Sequence, residues 1–158
     1  MSGSRTWSLT LNGRRVEVEA DDNASLLHVL RHDFGLSGAR FGCGVGLCGA
    51  CFVLLDGNPA PACDTPMWSV DGKDVTTVEG LGEGNAPHPL QVAFLAEQAA
   101  QCGFCVSGVL VSAAALLAAN PTPDEGDVVA ALDRNLCRCG VQRRMVAAVL
   151  SASEGRTS

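Results

Sequence analysis

The sequence has few aromatic residues, few charged residues and no excess of basic charge. Its 158 residues include no tyrosine, and its two tryptophans and five phenylalanines make up 4% of the chain. Because 47% of the residues are hydrophobic and only 18% are charged, the chain is expected to be globular. Its core must be built mainly from small aliphatic side chains. Two halves of roughly 80 residues would each have a thin core, which metals or disulfides commonly stabilise.

No segment is long and apolar enough to predict a membrane span. The longest apolar stretch, 109–119, is interrupted by Ser112 and reaches only about half of the ~20 residues that a spanning helix needs. The first residues lack the apolar run of a signal peptide. A net charge of −6 without any basic run argues against a nucleic-acid partner. We therefore expect a cytoplasmic protein, in a compartment where stable disulfides are rare.

Cysteine is the residue that this chain has in abundance, with eight copies. In a cytoplasmic protein so many thiols indicate metal or redox chemistry. They fall into two groups of four, one in each half of the chain. The first cysteine set is Cys43, Cys48, Cys51 and Cys63, and the second cysteine set is Cys102, Cys105, Cys137 and Cys139.

The first half of the chain predicts a small α+β unit. Alternating apolar residues flank Asn12-Gly13, a dipeptide typical of a type I′ hairpin turn. Asn23 or Ser25 can cap the helix that follows. The expected order is a hairpin over 6–20, a helix over 25–34, a glycine-rich loop over 38–49, a strand over 52–55 that turns at 56–57, and a last strand over 75–78.

The second half predicts four helices, which a linker rich in glycine and proline separates from the first half. Each cysteine pair of the second set comes directly before a helix, and this two-fold arrangement could bring the two pairs together. The predicted helices cover 90–101, 107–119, 122–136 and 142–153, the third starting with a capping box at Thr122-Pro123-Asp124-Glu125. The predicted domains are residues 1–80 and 90–158, with a linker over 81–89.

The spacing of the first cysteine set is typical of plant-type [2Fe–2S] proteins, Cys-x4-Cys-x2-Cys followed by a distant fourth cysteine. An oxidised cluster with four thiolates carries a charge of −2, which backbone N–H groups can stabilise if the loop curls tightly around it. Glycine tolerates the positive φ angles that such a loop requires. The alternatives are a structural zinc ion, disulfides or free thiols.

The second cysteine set is less specific by its spacing alone. Its pattern, Cys-x2-Cys followed by Cys-x-Cys, could bind a [2Fe–2S] cluster or zinc, and Cys102-Gly-Phe-Cys105 alone could be a thioredoxin-like dithiol. A helix N-terminus offers free N–H groups and a positive dipole end, which favour an anionic cluster. A dithiol would require a βαβ setting, whereas the pattern here is helical.

Several motifs spread over nearly the whole chain together resemble those of a known family. The matching segments are Leu30-Arg31, Gly42 to Cys51, Asp56-Gly57, Thr77-Val78-Glu79-Gly80-Leu81, Gln101 to Cys105 and Asn135-Leu136-Cys137-Arg138-Cys139-Gly140. On these segments, the chain is similar to the iron–sulfur subunit of the molybdenum hydroxylases, the family of xanthine oxidase and aldehyde oxidoreductase. Gly140-Val141-Gln142 looks closest to the isoquinoline and nicotinate dehydrogenase branch, whereas Phe52 and Val106-Ser107 depart from the usual pattern.

This resemblance implies a β-grasp ferredoxin-like domain followed by a four-helix bundle, each holding one [2Fe–2S] cluster on its four cysteines. It also implies a large partner subunit with molybdenum and a molybdopterin, in the cytosine dinucleotide form, that hydroxylates an N-heterocycle or an aldehyde. Electrons would pass to the helical-domain cluster first and then to the ferredoxin-like one. Gln101 matches a residue that contacts the pterin, and Cys139 matches a cluster ligand close to it.

The sequence therefore predicts an electron-transfer subunit of a molybdopterin-dependent hydroxylase that is not catalytic alone. A free-standing two-cluster ferredoxin is the alternative, although a soluble shuttle would need only the first domain. A zinc-stabilised interaction module is a third possibility, and it would be colourless. The substrate and the final acceptor, which could be a flavin subunit or a cytochrome or another carrier, depend on other chains.

Overall fold

The computed structural model describes residues 4–83 and 85–155. The outer ends of the two predicted domains, 1–3 and 156–158, and residue 84 of the predicted linker lie outside the described residues.

The first half folds around a mixed five-stranded sheet with the strand order β2-β1-β5-β3-β4. The predicted hairpin is confirmed, because Asn12 (φ 50°) and Gly13 (φ 78°) form its turn with the positive φ angles of type I′. Strand β1 pairs with β5 in parallel, and the other neighbours are antiparallel. The strands are β1 (Ser4–Leu11), β2 (Arg14–Asp21), β3 (Phe52–Leu55), β4 (Asn58–Pro61) and β5 (Asp74–Thr76).

Strand β4 was not predicted, because its sequence Asn-Pro-Ala-Pro has low strand propensity. It lies at the edge of the sheet, the place where proline costs no ladder hydrogen bond on the solvent side. The turn before it has positive φ at Asp56 (49°) and Gly57 (82°), as a tight hairpin requires. The last strand ends at Thr76, earlier than predicted, because Val78–Gly80 forms a 3₁₀ turn.

Helix α1 (Leu26–His32) packs across this sheet and begins at the predicted cap. The Ser25 hydroxyl accepts a hydrogen bond from the backbone N–H of His28 at 3.2 Å. Four helix residues with apolar side chains are buried against Trp7 and the sheet. This packing forms the core of the first half, and Cys51 is part of that core.

In the second half, the described residues form four helices around a second core. The helices are α2 (Pro89–Ala96), α3 (Val106–Ala119), α4 (Glu125–Leu132) and α5 (Gln142–Ser153). Their buried residues are mostly alanine, valine and leucine, as the aromatic-poor composition predicts. In the described part of the chain, no helix is long and apolar enough to cross a membrane.

Two helices, α2 and α4, have boundaries that differ clearly from the sequence prediction. Helix α2 ends at Ala96, not at 101, because the chain leaves the helix with Gln98 at φ 50°. Helix α4 is capped by Asp124, whose partner in the capping box is Asp127, and it ends at Leu132 rather than at 136. The predicted Thr122 cap is therefore wrong. The residues that were predicted at the ends of these two helices, 97–101 and 133–136, instead form the segments that lead into the cysteine pairs.

Candidate iron–sulfur sites

The first cysteine set lies around the glycine-rich loop between α1 and β3. Positive φ angles at Gly44 (73°), Gly46 (71°) and Gly49 (73°) let this loop curl back on itself. Six backbone N–H groups point at cysteine sulfurs as a result. They are the N–H groups of Val45 (3.5 Å), Leu47 (3.2 Å) and Cys48 (3.4 Å) to Cys43 Sγ, of Cys43 to Cys48 Sγ (3.4 Å), of Gly46 to Cys63 Sγ (3.4 Å) and of Cys63 to Cys51 Sγ (3.4 Å).

These donors favour negative charge on sulfur. Hydrogen bonds from Val45, Leu47 and Cys48 lower the pKa of the exposed Cys43 thiol to about 6. Burial has the opposite effect on Cys51, whose pKa is raised to about 12. A metal centre must therefore displace the Cys51 proton when it binds, whereas the backbone hydrogen bonds already favour the thiolate form of Cys43. This is the donor arrangement that an anionic iron–sulfur cluster requires.

The second cysteine set forms where the two cysteine pairs meet, as the two-fold helix pattern predicted. The sulfurs of Cys102 and Cys139 are 3.4 Å apart, although the residues are 37 positions apart in the chain. The thiols of Cys105 and Cys137 interact with each other. Burial, followed by these interactions with Cys137, raises the pKa of the Cys105 thiol to about 12. Cys105 immediately precedes α3, so free N–H groups of that helix start lie next to the site.

The pairs of neighbouring sulfurs indicate which two cysteines of each set would bind the same iron. Cys43 interacts with Cys48 and Cys51 with Cys63, while the second set pairs Cys102 with Cys139 and Cys105 with Cys137. Among residues 4–83 and 85–155, no three His, Cys, Asp or Glu side chains are arranged to hold one metal ion. A [2Fe–2S] cluster does not need such a trio, because each iron takes two thiolates and shares two sulfides. The residues fit that group.

The segment that leads into Cys137 packs directly on the loop of the first set. The backbone N–H of Leu136 donates to the carbonyl oxygen of Cys48 at 2.9 Å. The side-chain amide of Asn135 donates to the Gly49 oxygen at 3.3 Å, and the Arg134 guanidinium donates to the Gly46 oxygen at 3.1 Å. Three consecutive residues thus join the two sites. The Leu136 bond is the most direct link, because Leu136 precedes Cys137 of the second set and Cys48 belongs to the first set.

Helix α3 packs closely against the same loop at Gly108. A Cβ atom at Gly108 would clash with the carbonyl oxygen of Gly49. Phe104, between two cysteines of the second set, lies beside Gly42 of the first loop. Sequence reasoning missed these contacts. A glycine inside the apolar helix pattern was the one available signal for Gly108, since such a residue commonly marks close backbone packing.

Gln101 and Cys139 were predicted to face a pterin in a partner subunit. Gln101 lies in an irregular exposed segment between α2 and α3, not at a helix end. It precedes the exposed Cys102, whose sulfur contacts Cys139. The two predicted contact residues therefore lie at the same solvent-accessible edge of the second site. Ser107, the first residue of the helix predicted over 107–119, is the second residue of α3, which Cys105 precedes.

Comparison with known proteins gives matches over both halves. Residues 9–79 match the 2Fe-2S iron-sulfur cluster binding domain, and residues 77–150 match a [2Fe-2S] binding domain. A subunit of the nicotinate dehydrogenase of Pseudomonas putida is 47% identical over 96% of each chain. The alpha subunit of the isoquinoline 1-oxidoreductase of Brevundimonas diminuta is 49% identical over 91% of this chain and 95% of its own.

A solved structure shows the same fold. The quinoline 2-oxidoreductase of Pseudomonas putida 86 aligns with a TM-score of 0.92 and 35% identity, over 98% of this chain and 96% of that chain. The fold and the iron–sulfur matches over both halves define an iron–sulfur protein of electron transfer. The chain belongs to the family of [2Fe–2S] iron–sulfur subunits of the molybdenum hydroxylases. The alternative of a free-standing ferredoxin is not favoured.

Proposed function

We propose that the first and second cysteine sets each hold one [2Fe–2S] cluster, so that the chain relays electrons from a molybdenum site in a large partner subunit to an external acceptor. The observation that carries this proposal is the direct contact between the two sites, above all the 2.9 Å hydrogen bond from Leu136 to Cys48. A [2Fe–2S] cluster takes up and releases single electrons when it is bound. Two such sites in contact suit a relay.

The protein's part in this chemistry is to hold the sulfurs and to balance their charge. The six N–H donors of the first site, five from the loop and one from Cys63, offset the negative charge that reduction increases, because their dipoles already point at the sulfurs. Burial of Cys51 and Cys105 keeps one side of each site dry. The first set belongs to the proposed β-grasp domain 1–80, and the second to a proposed four-helix-bundle domain 90–158 beyond the linker 81–89.

The second cysteine set is the one that we place towards molybdenum. Gln101 and Cys102 are joined by a peptide bond, so their Cα atoms are ~3.8 Å apart and they face the same surroundings. A pterin that contacts Gln101 and lies close to Cys139 would therefore border the second set. We propose the cytosine dinucleotide form of molybdopterin for this group. The first set would then lie towards the acceptor, a flavin subunit or a cytochrome.

The relatives indicate the class of substrate. Their names specify nicotinate, isoquinoline and quinoline, which are all N-heterocycles. We propose that the partner subunit hydroxylates an N-heterocycle rather than an aldehyde. This chain takes no part in choosing the substrate, since its role is to carry the electrons away.

Iron analysis tests the proposal directly. The anaerobically purified protein should contain about four irons and about four acid-labile sulfides per chain, as two clusters require. After reduction it should show two distinct EPR signals, because the two sites differ in exposure and in N–H donors. A content near two irons with one signal would contradict the assignment of two sites, and a colourless zinc protein would reject it entirely.

Replacing Gln101 tests the proposed edge towards molybdenum. We expect Gln101→Ala to keep both EPR signals and to lower turnover of the assembled enzyme roughly tenfold or more, because a lost contact misplaces the pterin relative to the second set. Glu97→Ala, an exposed change four residues earlier, is the matched control and should turn over normally. Unchanged turnover in Gln101→Ala would reject the contact.

A further inference from the structure

Arg134 links the helical half to a sulfur of the first cysteine set. Its guanidinium donates to the Gly46 carbonyl oxygen at 3.1 Å. That carbonyl and the N–H of Leu47 belong to one peptide unit, and the Leu47 N–H donates to Cys43 Sγ at 3.2 Å. The positive charge of Arg134 therefore polarises the peptide unit between Gly46 and Leu47. This polarisation strengthens the hydrogen bond from the Leu47 N–H to the Cys43 sulfur.

The guanidinium is held in place by a second contact. It lies over the ring of Phe52 at 5.0 Å from the centroid, within the range of a cation–π interaction. Phe52 is almost fully buried and directly follows Cys51, so its ring is a fixed platform. Among the described residues, Arg134 forms no ion pair within 4 Å. The ion pair that these residues do contain joins Arg5 to Asp71. Its charge is therefore not neutralised by a direct partner.

An acidic group also lies close to Gly46. The Asp64 carboxylate would be 3.2 Å from a Cβ atom at Gly46, and Asp64 follows Cys63 in the chain. The charge of Asp64 opposes that of Arg134 at the first site. The two side chains thus allow the effect of local charge to be tested in both directions.

We propose that Arg134 is a positioning residue that raises the reduction potential of the first site, so that electrons favour that site over the second. The inference rests on the proposed function, in which the first cysteine set holds a cluster. Reduction adds one negative charge, and a fixed guanidinium stabilises the reduced form more than the oxidised form. The electron comes from the relay itself, and no other reactant is needed. Arg134 belongs to the segment that leads into Cys137, so the helical half biases electron flow out of its own site.

The test is an EPR-monitored potentiometric titration of the assembled enzyme. In Arg134→Gln, we expect the midpoint of the signal that Cys43→Ser abolishes to fall by about 40 mV, which is a roughly fivefold shift in one-electron equilibrium. The other signal should keep its midpoint. Arg134→Lys retains the charge and should restore most of the potential. Arg14→Gln, which removes an arginine from the distant hairpin, is the control for net charge and should change neither midpoint.

Asp64→Asn provides the opposite sign and should raise the same midpoint. Midpoint shifts of opposite sign in Arg134→Gln and Asp64→Asn support the proposal. A second supporting result is a smaller difference in midpoint between Arg134→Gln and the wild type at high salt, because ions screen an exposed charge. Equal midpoints in Arg134→Gln and the wild type overturn it. Shifts of the same sign in both variants also overturn it, since they indicate distortion of the loop. An enzyme without two signals would instead refute the ligand assignment.

Discussion

Cys43→Ser should remove one of the two EPR signals and about half of the iron, while Cys102→Ser should remove the other signal. Both cysteines are exposed, so these changes test ligation with little effect on the cores, unlike changes at the buried Cys51 or Cys105. Electron delivery to the acceptor should fall to background in both variants, because each breaks the relay. The measurement is EPR with iron analysis of the assembled enzyme.

The two variants also act as controls for each other and decide the order of the relay. A Mo(V) signal should remain split by magnetic coupling in Cys43→Ser, because the second site is the one that we place beside molybdenum. The same splitting should be lost in Cys102→Ser. The reverse pattern would place the first site beside molybdenum. Loss of both signals in either variant would mean that the cysteines are shared differently between the sites.

Gly108→Ala should loosen the contact between the two halves. Its methyl group would clash with the Gly49 carbonyl, which belongs to backbone and cannot rotate away. Helix α3 must then move, and Cys105 at its start must move with it. We expect a loss of about 3 kcal/mol in stability. For a chain of this size, that loss lowers the temperature at which the visible cluster absorption disappears by roughly 10 °C.

Gly126→Ala is the matched control, because this glycine is exposed in α4 and a Cβ there would meet only the Asp124 carboxylate at 3.2 Å. The stability of this variant should change by less than about 1 kcal/mol, since Gly126 lies in the exposed first turn of α4 and alanine is a better helix former than glycine. If Gly108→Ala behaved like Gly126→Ala, α3 would not be packed against the first loop as closely as the structure shows. Loss of cluster binding on heating is an irreversible process, so both variants must be heated at the same rate.

Local signals in the sequence predicted most of the fold. The hairpin turn at Asn12-Gly13 and the strand Phe52–Leu55 are where turn chemistry and periodicity placed them. Helix α5 has the predicted bounds of 142–153. The errors fall where the local signal conflicts with tertiary packing. Strand β4 forms despite two prolines because β3 offers an edge, and α2 stops early because the chain must turn towards Cys102.

The sequence by itself determined the family of this protein. Cysteine spacing is a one-dimensional property, and the glycines beside the cysteines can be identified in the same way, so the family followed from the residues alone and both four-thiol sites could be proposed from them. Only the tertiary structure decided how the two sites meet. The bond from Leu136 to Cys48 and the contact of Arg134 with Gly46 join residues 88 positions apart, and their formation depends on how two separate cores pack together. No local pattern encodes such a contact, because its free energy comes from the packing of both halves.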